Sequence, residues 1–230
     1  MLDHQGRMHP AISEFANRRF YDGKLDIVPV PHQTAELDFP LYPDHTAAPL
    51  PYFLAHTRTG FFPSHTPPAA DSNKINREEA RITAQIVAGI YELCHLNRLP
   101  FQAAERIGII VPFRNQIALI HHELHALGIA ETDDITVDTV ERYQGSQRDI
   151  IIYSTTISQP YQLDLLSVPV QDGALWVDRK LNVAITRAKK QFFLTGNAAL
   201  LARNDIYRDF LATLTPYQQT DSEQKQTGLS

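Results

Sequence analysis

Arginine side chains stand in three polar segments of this 230-residue chain. The segments are Gln5–Pro10, Val137–Asp149 and Leu181–Lys189. A guanidinium group stays charged and can bind two oxygens of one phosphate, so such segments could hold a phosphorylated ligand. Taken by itself, however, Arg187 is better interpreted as an arginine at a helix end that pairs with a carboxylate or with capping carbonyls.

The elements that must position these segments alternate between strands and helices. Apolar runs predict strands at 107–111, 137–140, 149–155 and 191–195, and helical spacing predicts helices at 10–20, 76–97, 115–127 and 175–188. Such alternation gives an α/β fold with a mostly parallel sheet and helices on both faces. Ligands then collect after the carboxyl ends of strands, which predicts sites after Val111, near Val140 and after Thr195.

Two segments stand apart from this pattern. Residues 29–70 are rich in proline and read as a surface excursion with one strand, Tyr52–His56, and no function of its own. Residues 216–230 are polar and read as a disordered tail, which leaves residues 1–215 as one domain. Trp176, Phe192 and Phe193 are expected in the core.

Composition excludes several classes of protein. A single cysteine rules out a disulfide framework and a cysteine-rich zinc site. His121, His122 and His125 lack the spacing of a metal-hydrolase helix, and we expect no metal site. The net charge of −5 argues against binding nucleic acid by bulk charge alone. With no signal peptide or membrane span in sight, the expected location is the cytoplasm.

The three segments closely resemble motifs IV, V and VI of superfamily 1 helicases, in the branch of the nonsense-mediated-decay helicase and the replication nuclease-helicases. Weaker matches are Asn73–Ala80 and Val111–Gln116. The resemblance covers the chain from Gln5 to Asn197 and implies the second RecA-like domain of such a motor, a P-loop-NTPase-type fold without its own P-loop.

The resemblance also implies roles for the motif residues. Arg7 and Arg187 would meet the γ-phosphate of ATP, with Arg187 as the arginine finger. Candidate nucleotide contacts are Gln5, Gln144, Gly145 and Gln147. Gly145 has a simpler alternative as a turn glycine. Candidate contacts to a single strand of DNA or RNA are Thr139, Arg114 and Asn115, whose alternative is ordinary loop polarity.

Two positions depart from the family. Gln147 stands where the family usually has glutamate, so it can still donate or accept a hydrogen bond but cannot be an anionic acceptor. Gly6 stands where the family commonly has tyrosine, which removes a packing or stacking group.

No G-x-x-x-x-G-K-[ST] loop is present; Gly23-Lys24 lacks the earlier glycine. We therefore expect a C-terminal motor domain of an ATP-dependent helicase or translocase that is inactive alone. Its partners would be a first RecA-like domain in the same protein, which would hold Mg²⁺, and single-stranded DNA or RNA, with no membrane. The alternative is a non-catalytic domain that binds nucleic acid or protein; a stand-alone nuclease lacks a clustered-acid site.

Overall fold

A computed structural model describes residues 4–28, 30–34, 36–65, 74–143 and 145–218. Its centre is a six-stranded sheet in which every neighbouring pair of strands is parallel. The expected class, an α/β fold with a mostly parallel sheet, is confirmed. The strands are β1 (His4–Gln5), β2 (Asp26–Ile27), β3 (Thr59–Pro63), β4 (Ile107–Val111), β5 (Thr136–Thr139), β6 (Arg148–Ser154), β7 (Pro169–Asp172), β8 (Leu175–Asp178), β9 (Ala188–Gly196) and β10 (Thr215–Pro216).

The sheet order is β10-β3-β9-β6-β4-β5, while β1 pairs with β2 and β7 pairs with β8 outside it. A 3₁₀ helix spans Ala130–Asp134. The α-helices are α1 (Pro10–Phe20), α2 (Pro31–Thr34), α3 (Pro49–His56), α4 (Arg77–Leu96), α5 (Ala103–Arg106), α6 (Arg114–Ala126), α7 (Pro160–Leu166), α8 (Arg179–Ile185), α9 (Ala198–Leu201) and α10 (Asp205–Leu211).

Two hydrophobic cores lie on opposite faces of the sheet. In β6, Ile150 and Ile152 face one core while Ile151 and Tyr153 face the other, because successive side chains of a strand point to opposite faces. Helices α1, α8, α9 and α10 cover the Ile151 face, and α3, α4 and α6 cover the Ile150 face. The layer with α1 and α8 therefore carries two of the three arginine-bearing segments.

The excursion at 29–70 differs from its expected form. Residues 52–56 belong to helix α3 and not to a strand, because Pro49 occupies the first turn and Leu54 and Ala55 are buried on its inner side. The strand of this region is β3. Phe39 is buried in the core, so the described part of the excursion packs against the domain.

The region before α8 is also different. In place of a helix from residue 175, β7 and β8 form an antiparallel hairpin around Gly173, which has a positive φ of 62°. Helix α8 begins only at Arg179, because the Asp178 side chain accepts a hydrogen bond from the Leu181 backbone N–H at 3.0 Å. Trp176 is 53% exposed, against expectation, while Phe192 and Phe193 are buried as expected.

The polar tail begins later than expected. Residues 215–216 form β10 against β3, and the Tyr217 side chain is buried because it packs on Phe53 and Phe62. Residues 219–230, the remainder of the expected tail, lie outside the described residues. No helix in the described part of the chain is long and apolar enough to cross a membrane.

Candidate functional site

Arg7 and Arg187 lie on either side of Thr186. The Arg7 guanidinium donates from Nη1 to the Thr186 carbonyl oxygen at 3.0 Å and from Nε to Oε1 of Gln147 at 3.0 Å. The Arg187 Nη2 donates to the Thr186 hydroxyl at 3.1 Å. Residues from all three sequence segments therefore meet at one place, which the sequence motifs predicted.

Arg187 also has the contacts of a helix-end arginine. It donates to the carbonyl oxygens of Val183 at 3.3 Å and Ser146 at 3.4 Å, both near the limit for a hydrogen bond. Burial, and then the positive charge of Arg7, lower the pKa of the Arg187 guanidinium. The two cations are thus close enough to repel each other, and an anion between them would relieve that repulsion.

Backbone hydrogen bonds hold the three segments in place. The His9 N–H donates to the Lys189 carbonyl at 2.8 Å, and the Arg148 N–H donates to the Arg187 carbonyl at 3.0 Å. Arg148 and Ala188 are the first residues of β6 and β9. We call the edge formed by the first residues of the parallel strands the amino edge, and the opposite edge the carboxyl edge. The arginine pair lies at the amino edge.

This placement corrects the expectation that ligand chemistry would collect only at the carboxyl ends of the strands. Arg7 precedes α1, and Arg187 follows α8 at the point where the chain enters β9. Here the cations come from the turns that lead into the strands.

The Gln5 side chain stabilises the turn that carries Arg7. Its Oε1 accepts hydrogen bonds from the backbone N–H groups of Arg7 at 3.1 Å and Met8 at 2.9 Å, and the side chain is buried. Sequence reasoning missed Gln33, whose Nε2 donates to the Met8 carbonyl at 3.0 Å and is also buried. Because residue 33 lies in the proline-rich excursion, no motif pointed to it.

The loop of the second motif has glycine for a conformational reason. Gly145 has a φ of +88°, which residues with a side chain rarely adopt, and a Cβ atom there would meet nothing within 4 Å. Gln147 follows it and accepts from Arg7 as described above. Gln144, the fourth predicted nucleotide contact, lies outside the described residues.

Arg7 lines an open cleft of about 700 Å³, whose wall does not include Arg187. Sequence reasoning did not select three charged residues of its wall, although Asp149 ends the second segment, Lys189 ends the third and Lys190 follows it. Lys190 Nζ lies 3.0 Å from Asp149 and 2.7 Å from Asp38 of the excursion. Apart from Gly6, the residues that line the cleft carry cationic, carboxylate or amide groups. They are Gly6, Arg7, Gln147, Asp149, Lys189 and Lys190.

The predicted contacts to nucleic acid lie at the carboxyl edge, away from the arginine pair. Val111 at the end of β4 pairs in register with Thr139 at the end of β5, so the loops that follow both strands are neighbours. Arg114 and Asn115 open α6 directly after β4 and are exposed. The Thr139 side chain is buried. The structure brings these three residues to one edge and separates them from Arg7 and Arg187.

A buried carboxylate lies at another part of the carboxyl edge, next to the ends of β6 and β9. Glu79 Oε2 accepts hydrogen bonds from the Ser154 hydroxyl at 2.8 Å, the Thr195 hydroxyl at 3.0 Å and the Thr156 backbone N–H at 2.8 Å. Burial raises the pKa of this carboxyl to about 7, against the effect of these donors. From the sequence, Glu79 was expected only to favour the positive end of α4.

The three histidines of α6 are partly or fully exposed. His122 and His125 lie on the exposed side of α6, and His125 lies 3.5 Å from Asp133. No group of three or more histidine, cysteine or acidic residues suited to a metal ion occurs among the described residues.

Comparison with known proteins places the chain in a family. A model of an AAA domain family (AAA_12) matches residues 1–199. The chain is 31% identical over 216 residues to regulator of nonsense transcripts 1 of Caenorhabditis elegans, covering 91% of this chain and 18% of that protein. It is 30% identical to the ATP-dependent helicase upf1 of Schizosaccharomyces pombe (90% and 20%) and 29% identical to the helicase SEN1 of Saccharomyces cerevisiae (92% and 9%).

The chain therefore belongs to this AAA domain family, and the resemblance to superfamily 1 helicases is confirmed. It spans a fifth or less of the length of these three relatives.

Proposed function

We propose that this chain is the second motor domain of an ATP-dependent helicase or translocase that acts on single-stranded DNA or RNA. Arg187 is its arginine finger and Arg7 a second cation for the γ-phosphate. The observation that carries the proposal is the meeting of both guanidinium groups at Thr186, with Arg7 lining an open cleft at the amino edge.

The donor set fits a triphosphate. The hydrogen bonds of Arg187 go to carbonyl and hydroxyl oxygens, which leave its charge unneutralised. Lys189 and Lys190 line the cleft, where they pair with Asp149 and Asp38, and Gln147 adds an amide that can bind a sugar hydroxyl. Charge-assisted hydrogen bonds to phosphate are stronger than those to neutral acceptors, so a phosphate can displace the long contacts of Arg187.

Mg²⁺ and the P-loop belong, in this proposal, to the first RecA-like domain of the intact protein. ATP bound there supplies the transferable phosphoryl group. This chain contributes the cations that stabilise negative charge on that group when the cleft between the two domains closes. Such cations affect the rate of hydrolysis more than the affinity for ATP, because they stabilise the charge on the equatorial phosphate oxygens in the transition state.

The test is Arg187→Ala in the intact protein. We expect ATP turnover to fall by about 10³ to 10⁵-fold while the dissociation constant for a non-hydrolysable ATP analogue changes little. Arg187→Lys is the matched variant. It keeps the charge but loses the fork of donors, so most of the loss should remain. The isolated chain is expected to hydrolyse no ATP.

Comparable turnover in Arg187→Ala and wild type would contradict the arginine-finger role. It would favour the alternative function, a helicase-derived domain that binds nucleic acid or protein without hydrolysis. Turnover by the isolated chain that Arg187→Ala abolishes would contradict the need for a partner domain.

A further inference from the structure

The segment that enters α4 is locked to the loop that enters α6. The Asn76 backbone N–H donates to Oε1 of Gln116 at 2.8 Å, and Nε2 of Gln116 donates back to the Asn76 carbonyl at 2.9 Å. Both side chains are fully buried. A side-chain amide that satisfies both backbone groups of one residue fixes its position firmly, because breaking the pair leaves buried donors and acceptors unsatisfied. We call this pair the amide clamp.

Two exposed cations lie next to the amide clamp. Arg114 precedes Gln116 by two residues at the start of α6, and Lys74 precedes Asn76 by two residues. The Lys74 ammonium lies 5.5 Å from the centre of the Phe113 ring, so it sits over the loop that carries Arg114. A ring face attracts a cation but carries no net charge, so this contact orients the ammonium without neutralising it.

The backbone at Lys74 is strained, with a φ of +58°. A residue with a side chain costs roughly 1 kcal/mol or more in this conformation, and a surface lysine gains nothing from it in a solvated turn. The strained residue lies two positions before Asn76, which the amide clamp ties to Gln116.

We propose that Lys74 is a further contact to the phosphodiester backbone of the single strand, presented together with Arg114 by the amide clamp. The inference rests on the proposed function and on Arg114, Asn115 and Thr139 at the carboxyl edge as candidate contacts to the strand. A chain with a net charge of −5 needs such placed cations, because its bulk charge repels the strand. Gln116 is a positioning residue and does not touch the strand.

The test is the salt dependence of binding to a labelled oligothymidylate or oligouridylate by the 230-residue chain, followed by fluorescence anisotropy. One lost phosphate contact lowers the slope of log K against log salt by about 0.7, or about fivefold in affinity at 0.1 M salt. We expect this change for Lys74→Ala and for Arg114→Ala, and recovery of the slope in Lys74→Arg. Lys24→Ala is the matched control, because Lys24 is an exposed lysine paired with Asp22 in the turn after α1.

The role of the amide clamp is tested by Gln116→Met, which keeps the size of the side chain. In that background Lys74→Ala should change the slope by much less than in the wild type, a coupling that a merely structural glutamine would not produce. If Gln116→Met does not fold, the Lys74 series alone decides the proposal.

The outcomes separate the two proposals. An unchanged slope in Lys74→Ala with a lowered slope in Arg114→Ala overturns the assignment of Lys74 and leaves the proposed function intact. No binding of either oligonucleotide by the wild-type chain, or no change of slope in either variant, would contradict strand binding at the carboxyl edge. The assignment of Lys74 would then fail together with that part of the proposed function.

Discussion

The two edges of the parallel sheet handle charge in opposite ways. At the amino edge, Arg7 lines an open cleft, and both Arg7 and Arg187 donate hydrogen bonds to neutral oxygens. Beside β6 and β9 at the carboxyl edge, Glu79 is fully buried and accepts hydrogen bonds from groups that close around it. The first arrangement leaves charge available for a ligand, whereas the second uses charge inside the protein.

The difference shows that charge alone does not mark a functional site. Both clusters have shifted pKa values, and both gather residues that are far apart in the sequence. What distinguishes them is whether a ligand from solvent can reach the charged groups. Each of the following variants should affect one edge and leave the other unchanged.

Among these variants, the largest effect is expected from Arg7→Ala in the intact protein, although it is smaller than that of Arg187→Ala. Loss of one positioned cation should lower ATP turnover by about 10² to 10³-fold, the range found when one donor to a developing negative charge is removed. Steady-state ATPase assays measure it, with the affinity for an ATP analogue determined in parallel. Arg18→Ala, an exposed arginine of α1, is the control. Equal turnover in both variants would show that the amino edge does not act on the phosphate.

The carboxyl edge is probed by the pH dependence of stability. The Glu79 carboxyl has a pKa of about 7 in the folded chain and 4.5 as its ordinary value, so between these values the folded state holds more protons than the unfolded state. The free energy of unfolding therefore falls as the pH rises from 4.5 through 7. Between pH 5 and pH 8, we expect the wild type to lose about 2 to 3 kcal/mol more than Glu79→Gln, measured by urea unfolding.

The control for this experiment is Glu78→Gln, which makes the same change of net charge at the neighbouring residue. Parallel pH profiles of the wild type and Glu79→Gln would contradict the prediction. The ATPase rate of an intact protein that carries Glu79→Gln, assayed at a pH where the variant is fully folded, should stay within a few-fold of wild type, because Glu79 lies away from the arginine pair.

Glu79 also shows what the sequence could and could not predict. The parallel α/β fold and the meeting of Arg7 with Arg187 followed from strand and helix patterns and from motif residues. Glu79 continues the apolar stripe of Ile82, Ile86 and Ile90 at helical spacing, so its burial could have been read from the sequence. Its partners could not, because they come from the ends of two other strands.

The errors have a common cause. The helix at 49–56 and the hairpin at 169–178 lie in segments with competing local signals, where prolines suit both a helix start and a loop, and tertiary packing decides. The contacts of Lys190 with Asp38 and of Gln33 with the Arg7 turn join positions that no local pattern relates.

A smaller effect is expected at the glycine of the second motif. Gly145 and Gly128 both have a positive φ, and both have open space where a Cβ atom would lie. Alanine at either position should cost about 1 kcal/mol of stability, because the strain is the same. Only Gly145→Ala should also lower ATP turnover in the intact protein, since Gly145 stands in the loop that carries Gln147. Equal turnover in the two variants would show that Gly145 is needed only for the conformation of the turn.

The smallest effect is expected from Gln147→Glu. A carboxylate in place of the amide would face the Arg7 Nε, which Gln147 now meets at 3.0 Å. Because the pair is exposed, the gain in stability should be about 0 to 1 kcal/mol and should disappear at high salt. In an Arg7→Ala background the same substitution should give no gain, so a double-mutant cycle isolates the interaction. A gain that persists without Arg7 would mean that residue 147 interacts with another cation. The contact between Arg7 and residue 147 would then contribute nothing to holding the first and second segments together.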